Sequence, residues 1–102
     1  MAINNTALTT TAQSIYTSSG NNAITTIHLC NYSGNVVYAN IFAVPSGFTA
    51  NALTTIYGNV SISPYNTLII YQEKFVLANG DQIDANVSAA NAVSATVSSI
   101  GI

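Results

Sequence analysis

The sequence predicts an all-β protein, a single-domain antiparallel β-sandwich of jelly-roll or immunoglobulin-like type with about eight short strands. Polar and apolar residues alternate with a period of two or form short β-branched runs, and a helical period is nearly absent. Gly, Asn, Ser and Pro separate these runs at intervals of about 8–12 residues, as in sandwiches. With 102 residues, 49% of them hydrophobic, the chain can bury one core but not two.

The first half of the chain predicts an arm followed by three strands. Residues 1–11 are expected to form an extended N-terminal arm, and residues 12–102 the sandwich domain. The first strand, Ala12–Thr17, ends at the turn sequence SSGNN. Ala23–Asn31 alternates strictly up to the turn SGN. Val36–Val44 carries apolar side chains on both faces, which indicates a central strand or one covered on both sides.

The second half predicts shorter strands. Pro45–Thr54 is the longest irregular segment, and Thr55–Ile62 is a strand interrupted by a glycine. The turn SPYN, whose proline pre-sets φ, leads into the apolar strand Thr67–Gln72. Two strands, Phe75–Leu77 and Gln82–Val87, flank the sequence ANG, and Ala92–Ile100 is the last strand.

Charge is the main anomaly of the composition. Charged residues make up 4% of the chain, against about 25% in ordinary soluble domains. The chain contains one lysine and no arginine. A nucleic-acid-binding surface and an electrostatic membrane anchor each need several basic side chains, so both are excluded. No apolar run approaches the roughly 20 residues of a spanning helix. The N-terminal sequence MAINNTALTT lacks the basic and apolar regions of a signal peptide, so we expect the chain to be intracellular at synthesis.

All the charged side chains fall in one window, EKFVLANGDQID, at Glu73, Lys74, Asp81 and Asp84. Asn-Gly predicts a hairpin there, with two competing loop lengths. A two-residue loop sets Phe75 opposite Asp84, whereas a three-residue loop sets Phe75 opposite Ile83 and Lys74 opposite Asp84. The second register is preferred because it sorts apolar from polar side chains. It predicts a charged surface hairpin with one ion pair, worth about 0.2–1 kcal/mol.

The sequence shows no recognised catalytic or metal-binding motif. His28 lies in mid-strand without a nucleophile motif, and Cys30 is expected to be a small buried hydrophobe. Asp81 and Asp84 beside a turn are too nonspecific for calcium or for paired-carboxylate catalysis. We therefore expect no enzyme activity, no cofactor and no metal. The Asn-X-Ser/Thr triplets, which include Asn31, are what an Asn- and Ser-rich chain produces by chance. The tyrosines could form a sugar-stacking or protein-contact surface, and they are Tyr16, Tyr32, Tyr38, Tyr57, Tyr65 and Tyr71.

So little charge predicts assembly. A monomer with this composition is poorly protected against self-association, and strand edges without Lys or Glu invite pairing. An interface with few charges avoids the cost of burying ions. We expect much of the surface to contact copies of the same chain, as a homo-oligomer and preferably a trimer, or a larger assembly. Ile3 and Leu8 of the arm are the candidate residues of a clamp on a neighbour.

Three segments together carry a family resemblance: LTTTAQSIYTSSGNNAITTIHLCNYSG (Leu8–Gly34), AVPSGFTANALTTIYGNVSIS (Ala43–Ser63) and EKFVLANGDQIDANVSAANAVSATVSSIGI (Glu73–Ile102). They resemble small virion structural proteins of tailed bacteriophages, including cyanobacterial phages. The most specific element is the last segment, where an apolar run enters a LANGD-type turn before an Ala/Asn/Val-rich C-terminal strand. The resemblance implies a β-sandwich without catalysis, present in many copies on a virion, and it transfers no binding residues.

The function expected from these observations is that of a head decoration (cement) protein. It would bind the major capsid protein or other virion proteins and stabilise the capsid lattice by mass action. A neck, tail or fibre-associated structural protein is the first alternative, and a carbohydrate-binding module for host attachment is the second. The expected location is the virion, after synthesis in the host cytoplasm.

Overall fold

The computed structural model describes residues 2–70 and 75–102, and it confirms the all-β sandwich. Two antiparallel sheets pack face to face, and a single 3₁₀ turn, η1 (Ala52–Thr54), follows the fourth strand. In this part of the chain no helix is long and apolar enough to cross a membrane. The strands are β1 (Ala2–Ala7), β2 (Gln13–Thr17), β3 (Asn22–Asn31), β4 (Val37–Val44), β5 (Thr55–Ile62), β6 (Thr67–Ile70), β7 (Phe75–Leu77), β8 (Gln82–Val87) and β9 (Val93–Gly101).

The strand order is that of a jelly roll. Sheet A has the order β1-β9-β3-β6, with β7 also paired to β3, and sheet B has the order β2-β8-β4-β5. The first strand therefore pairs with the last, and the chain crosses from one sheet to the other at most of its connections. An immunoglobulin-like sandwich would instead place its first two strands in one sheet. Of the two predicted types of sandwich, the topology selects the jelly roll.

The core lies between the sheets and is built from the alternating positions that the sequence predicted. In β3, Ile27 and Leu29 are buried, whereas Thr26 and His28 are half-buried on the opposite face. Leu29 lies opposite Ala95 of β9 on one side and opposite a leucine of β6 on the other. Each fully buried aliphatic side chain of this kind stabilises the fold by about 1.5–3 kcal/mol.

Strand β1 corrects the prediction of an N-terminal arm. Ala2–Ala7 pairs with β9 without a register shift, from Ala2 opposite Ser99 to Ala7 opposite Ser94. The ladder continues one residue further, because the backbone N–H of Leu8 donates to the carbonyl of Val93 at 3.0 Å. Leu8 is buried in the core and is not available as a clamp. Ile3, the other predicted clamp residue, is 64% exposed.

The predicted hairpin between β7 and β8 is wrong, although its turn is present. Gly80 has φ 89, and the N–H of Asp81 donates to the carbonyl of Ala78 at 3.1 Å. The turn nevertheless carries the chain from sheet A to sheet B, since β7 pairs with β3 and β8 pairs with β2 and β4. This pairing buries β8 in the middle of sheet B, where Asp84 lies opposite Phe42. Glu73 and Lys74 lie outside the described residues.

Candidate functional site

The candidate functional site is the outer face of sheet A, which we call face A. Residues directly opposite each other in a sheet share a face, so the register defines it. One row across the sheet runs from Asn5 through Thr96 and His28 to Ile69. The hydroxyl of Thr96 donates to Asn5 Oδ1 at 2.8 Å. Face A comprises Ile3, Asn5, Ala7, Ala23, Thr26, His28, Cys30, Thr67, Ile69, Val76, Ser94, Thr96, Ser98 and Ile100.

Among the described residues that define face A there is no carboxylate, lysine or arginine. Four of its aliphatic side chains are exposed to a large extent, and Ile69 near the middle of one edge is 48% exposed. The remaining positions are small residues and neutral hydrogen-bonding groups. Burying such a face against another protein desolvates no carboxylate, lysine or arginine, and desolvation of such ions is the main penalty that charged surfaces incur. Face A can therefore form a dry protein–protein contact that salt screens weakly.

His28 and Cys30 are the two titratable side chains on face A. Both are half-buried and lie on the outer side of β3. Cys30 was expected in the core, but Leu29 and the buried Asn31 occupy the inward positions on either side of it. Within residues 2–70 and 75–102, no three His, Cys, Asp or Glu side chains come together as metal ligands would. Both side chains therefore belong to the outer surface of sheet A.

The outer face of sheet B is more polar, but its amides bond within the chain. Asn40 Nδ2 donates to Asn86 Oδ1 at 2.9 Å, and Asn40 Oδ1 accepts from the backbone N–H of Asn59 at 2.8 Å. Asn86 Nδ2 reaches the carbonyl of Thr10 at 3.5 Å. Tyr38 is exposed beside this pair. These amides stabilise the sheet and leave few groups for a ligand.

Asp81, predicted as part of a charged surface, holds two turns together. Its Oδ1 accepts the backbone N–H of Ser46 at 2.9 Å, and its Oδ2 accepts the N–H of Ala78 at 3.0 Å. Gly80 is favoured beside this contact, because its φ of 89 suits glycine and a Cβ there would lie 2.6 Å from the Ser46 hydroxyl. A depression of about 110 Å³ next to Asp81 is smaller than the roughly 300–1,000 Å³ of small-molecule sites.

Asp84 is buried, which corrects the prediction that it belongs to an exposed charged hairpin. It is 6% exposed and lies between Ser14 of β2 and the buried Phe42 of β4. Its Oδ1 has no hydrogen-bond partner among the described residues. Burial raises the pKa of the Asp84 carboxyl, because desolvation penalises the charged form. Asp81 and Asp84 therefore have different structural roles and do not form one charged surface.

Replacing Asp84 with asparagine is expected to stabilise the protein at neutral pH. The raised pKa means that the folded state holds the proton more tightly than the unfolded state. The stability that Asp84 contributes is thus greatest below its ordinary pKa of about 3.9 and is lost as the pH rises through its folded pKa. Asp84→Asn removes the buried charge, and we expect a gain of about 1–3 kcal/mol at pH 7.

Urea unfolding at pH 7 and at about pH 3 checks this expectation. The gain should shrink at the acid pH, where the wild-type carboxyl is neutral. Asp81→Asn is the matched control and should destabilise at pH 7, because that carboxylate accepts two backbone N–H groups. A loss of stability in Asp84→Asn at neutral pH would contradict the expectation that burial penalises the charged carboxyl.

The tyrosines do not share one surface in the described part of the chain. Tyr16 lies in the core, Tyr38 on the outer face of sheet B, and Tyr65 in the turn after β5.

Face A was not singled out from the sequence. Its signal is the alternation in VSATVSSI of β9, where a small hydroxyl residue follows each of the inward side chains Val93, Ala95 and Val97. No family model, curated protein or solved structure matches the chain.

Proposed function

We propose that this protein is a non-enzymatic virion structural protein of a tailed bacteriophage, and that it decorates the head as a cement protein. The observation that carries the proposal is face A, a broad strand surface with exposed aliphatic side chains, whose described residues include no carboxylate, lysine or arginine. The resemblance to small phage virion proteins and the jelly-roll topology support it. The jelly-roll topology supports the proposal only by analogy, since jelly rolls serve many functions.

The proposed mechanism is stabilisation by binding only the assembled lattice. A ligand that binds the assembled state alone favours it by about 2.7 kcal/mol when present at 100 times its Kd. In the proposed mode, face A lies against the major capsid protein and the polar outer face of sheet B faces water. The protein acts as a homo-oligomer, so each oligomer contacts several lattice subunits at once and gains avidity.

The same observations give less support to two other functions. A neck, tail or fibre-associated protein would use face A in the same way, and only its copy number separates it from cement. A carbohydrate-binding module would need amides and aromatic rings open to a sugar. Asn40 and Asn86 instead bond to each other and to the backbone, so no specific observation favours that function.

The experiment that tests the proposal is a copy-number measurement on purified virions. A cement protein should be present in hundreds of copies per particle and should remain with the heads after the tails are sheared off. Tens of copies or fewer, or recovery with the tails, would replace cement with a neck or tail role. Complete absence from the virion would overturn the proposal.

A charge placed on face A is expected to abolish binding to heads. Ile69→Lys puts an ammonium on the contact surface, and an unpaired buried charge costs about 3–5 kcal/mol, or more than 100-fold in affinity. Leu53→Lys is the matched control, because Leu53 is 96% exposed on η1, which contacts β4 of sheet B. Binding to heads assembled without the protein is measured by co-sedimentation. Equal binding by both variants would show that face A is not the contact.

A further inference from the structure

In the described part of the chain the sandwich has four strand edges, and three of them are irregular. Strand β2 has a register shift between Ser14 and Tyr16. Strand β5 has register shifts against β4, and its Asn59 has a positive φ of 54. The third edge consists of two short strands, β6 and β7, which lie end to end along β3. Bulges and short strands are the devices by which proteins keep sheet edges from pairing. Strand β1 has neither of them, and its sequence AINNTA contains no proline or charge.

Strand β1 also presents a regular set of backbone groups to its outer side. In an antiparallel pair, alternate residues direct their N–H and C=O groups at the partner strand. The hydrogen bond from Leu8 to Val93 fixes this phase, so the even-numbered residues of β1 bond to β9. The groups of Ile3, Asn5 and Ala7 therefore point away from the sheet. Gln13 Nε2 occupies one of them, since it donates to the Ala7 carbonyl at 3.0 Å.

We propose that β1 pairs with β1 of a second copy, antiparallel and about a two-fold axis at Asn5. Pairing through the outward groups brings odd-numbered residues opposite each other. The register centred on Asn5 places Ile3 opposite Ala7, and Asn4 opposite Thr6, so apolar meets apolar and polar meets polar. A shift by one pair would set Ile3 against Asn5. The strand is therefore complementary to itself in the one register that sorts its side chains.

This contact joins two copies of sheet A into one continuous sheet. Face A then becomes a single surface of twice the width, and the described residues that define it still include no carboxylate, lysine or arginine. The inference deepens the proposed function, on which its biological purpose rests, because a doubled face A is the larger contact for a lattice. A two-fold contact closes as a dimer, in place of the trimer expected from the sequence.

The test uses opposite charges at the proposed axis. Asn5→Lys and Asn5→Asp each place like charges directly opposite each other, and each should raise the dimer dissociation constant about tenfold or more. An equimolar mixture of the two variants should restore the dimer as a heterodimer. The molar mass is measured by sedimentation over a wide concentration range. Leu53→Lys is the control for added charge, and unfolding curves show that the exposed position 5 leaves the fold intact.

Each result decides the matter. A wild-type dimer that both single variants weaken and the mixture restores supports the pairing. A wild-type chain that is monomeric at the highest concentration, a dimer insensitive to both variants, or a mixture that does not restore the dimer would overturn it. None of these measurements needs a virion. A monomer that still decorates heads refutes the pairing alone, whereas a dimer absent from virions refutes the proposed function alone.

Discussion

Replacement of Asn31 by aspartate is expected to destabilise the protein by about 3–5 kcal/mol at neutral pH. Asn31 is fully buried at the end of β3. Its Nδ2 donates to the carbonyls of Asn35, Ile62 and Ser63 at 2.8, 3.0 and 3.2 Å. Aspartate has the same shape but no donor, so it would turn a negative charge toward three carbonyl oxygens. The loss is a large share of the roughly 5–15 kcal/mol that stabilises a typical domain.

The side chain also organises a turn, because Asn31 Oδ1 accepts from the backbone N–H and the hydroxyl of Ser33 at 3.0 and 2.7 Å. Unfolding in urea at pH 7 measures the loss, and Asn66→Asp at an exposed position is the matched control. Part of the loss in Asn31→Asp should return at acid pH, where the protonated carboxyl can donate to one carbonyl. A variant as stable as wild type at pH 7 would contradict the hydrogen-bond network. In the folded state Asn31 is also inaccessible to glycosylation, despite its Asn-X-Ser triplet.

Strands with a strict period of two were predictable from the sequence. The alternation in β3 correctly places Ile27 and Leu29 in the core, because a strand with one buried face must repeat every second residue. The apolar residues on both faces of β4 correctly indicated a central strand, and Phe42 on its outer side is buried next to Asp84. These properties are local, so a window of about ten residues contains enough information to fix them.

The pairing partners were not predictable in the same way. The turn before β8 has identical local chemistry whether it joins two paired strands or carries the chain from one sheet to the other. Whether β8 pairs with β7 or with a strand of the other sheet depends on which distant strand is available to it. That strand is β4, whose Ala43 lies opposite Ile83. Strand β1 was missed for a related reason. AINNTA has little apolar alternation of its own, and it becomes a strand because β9 supplies a complete ladder.

The existence of an uncharged surface was predictable from the sequence, but its location in the fold was not. The scarcity of charge indicated that a broad uncharged surface should exist, and face A is such a surface. The sequence could not assign it to the outer side of sheet A, since that depends on how β1, β9, β3 and β6 lie side by side. The fate of Asp84 was equally nonlocal. Its neighbours in sequence are ordinary for an exposed hairpin, and it is buried because Phe42 lies opposite it.

Replacing Leu8 with alanine is expected to cost about 2–5 kcal/mol, because Leu8 anchors β1 in the core. Ile3→Ala is the matched control and should cost much less, since Ile3 is mostly exposed on the same strand. A mobile arm and a paired strand differ sharply here, because truncating a residue of an arm would leave the free energy of unfolding unchanged. Urea unfolding measures both variants.

Hydrogen exchange adds a local readout to the same pair of variants. The amides of Asn4 and Thr6 face β9 in the ladder, so they should be protected in the wild type and in Ile3→Ala. In Leu8→Ala they should exchange faster than the amides of β3, because β1 loses its anchor and opens without the rest of the sheet. Rapid exchange of these amides in the wild type would instead support a mobile N-terminal arm. It would also contradict the proposed pairing of two copies, because that pairing needs β1 to be an ordered edge strand.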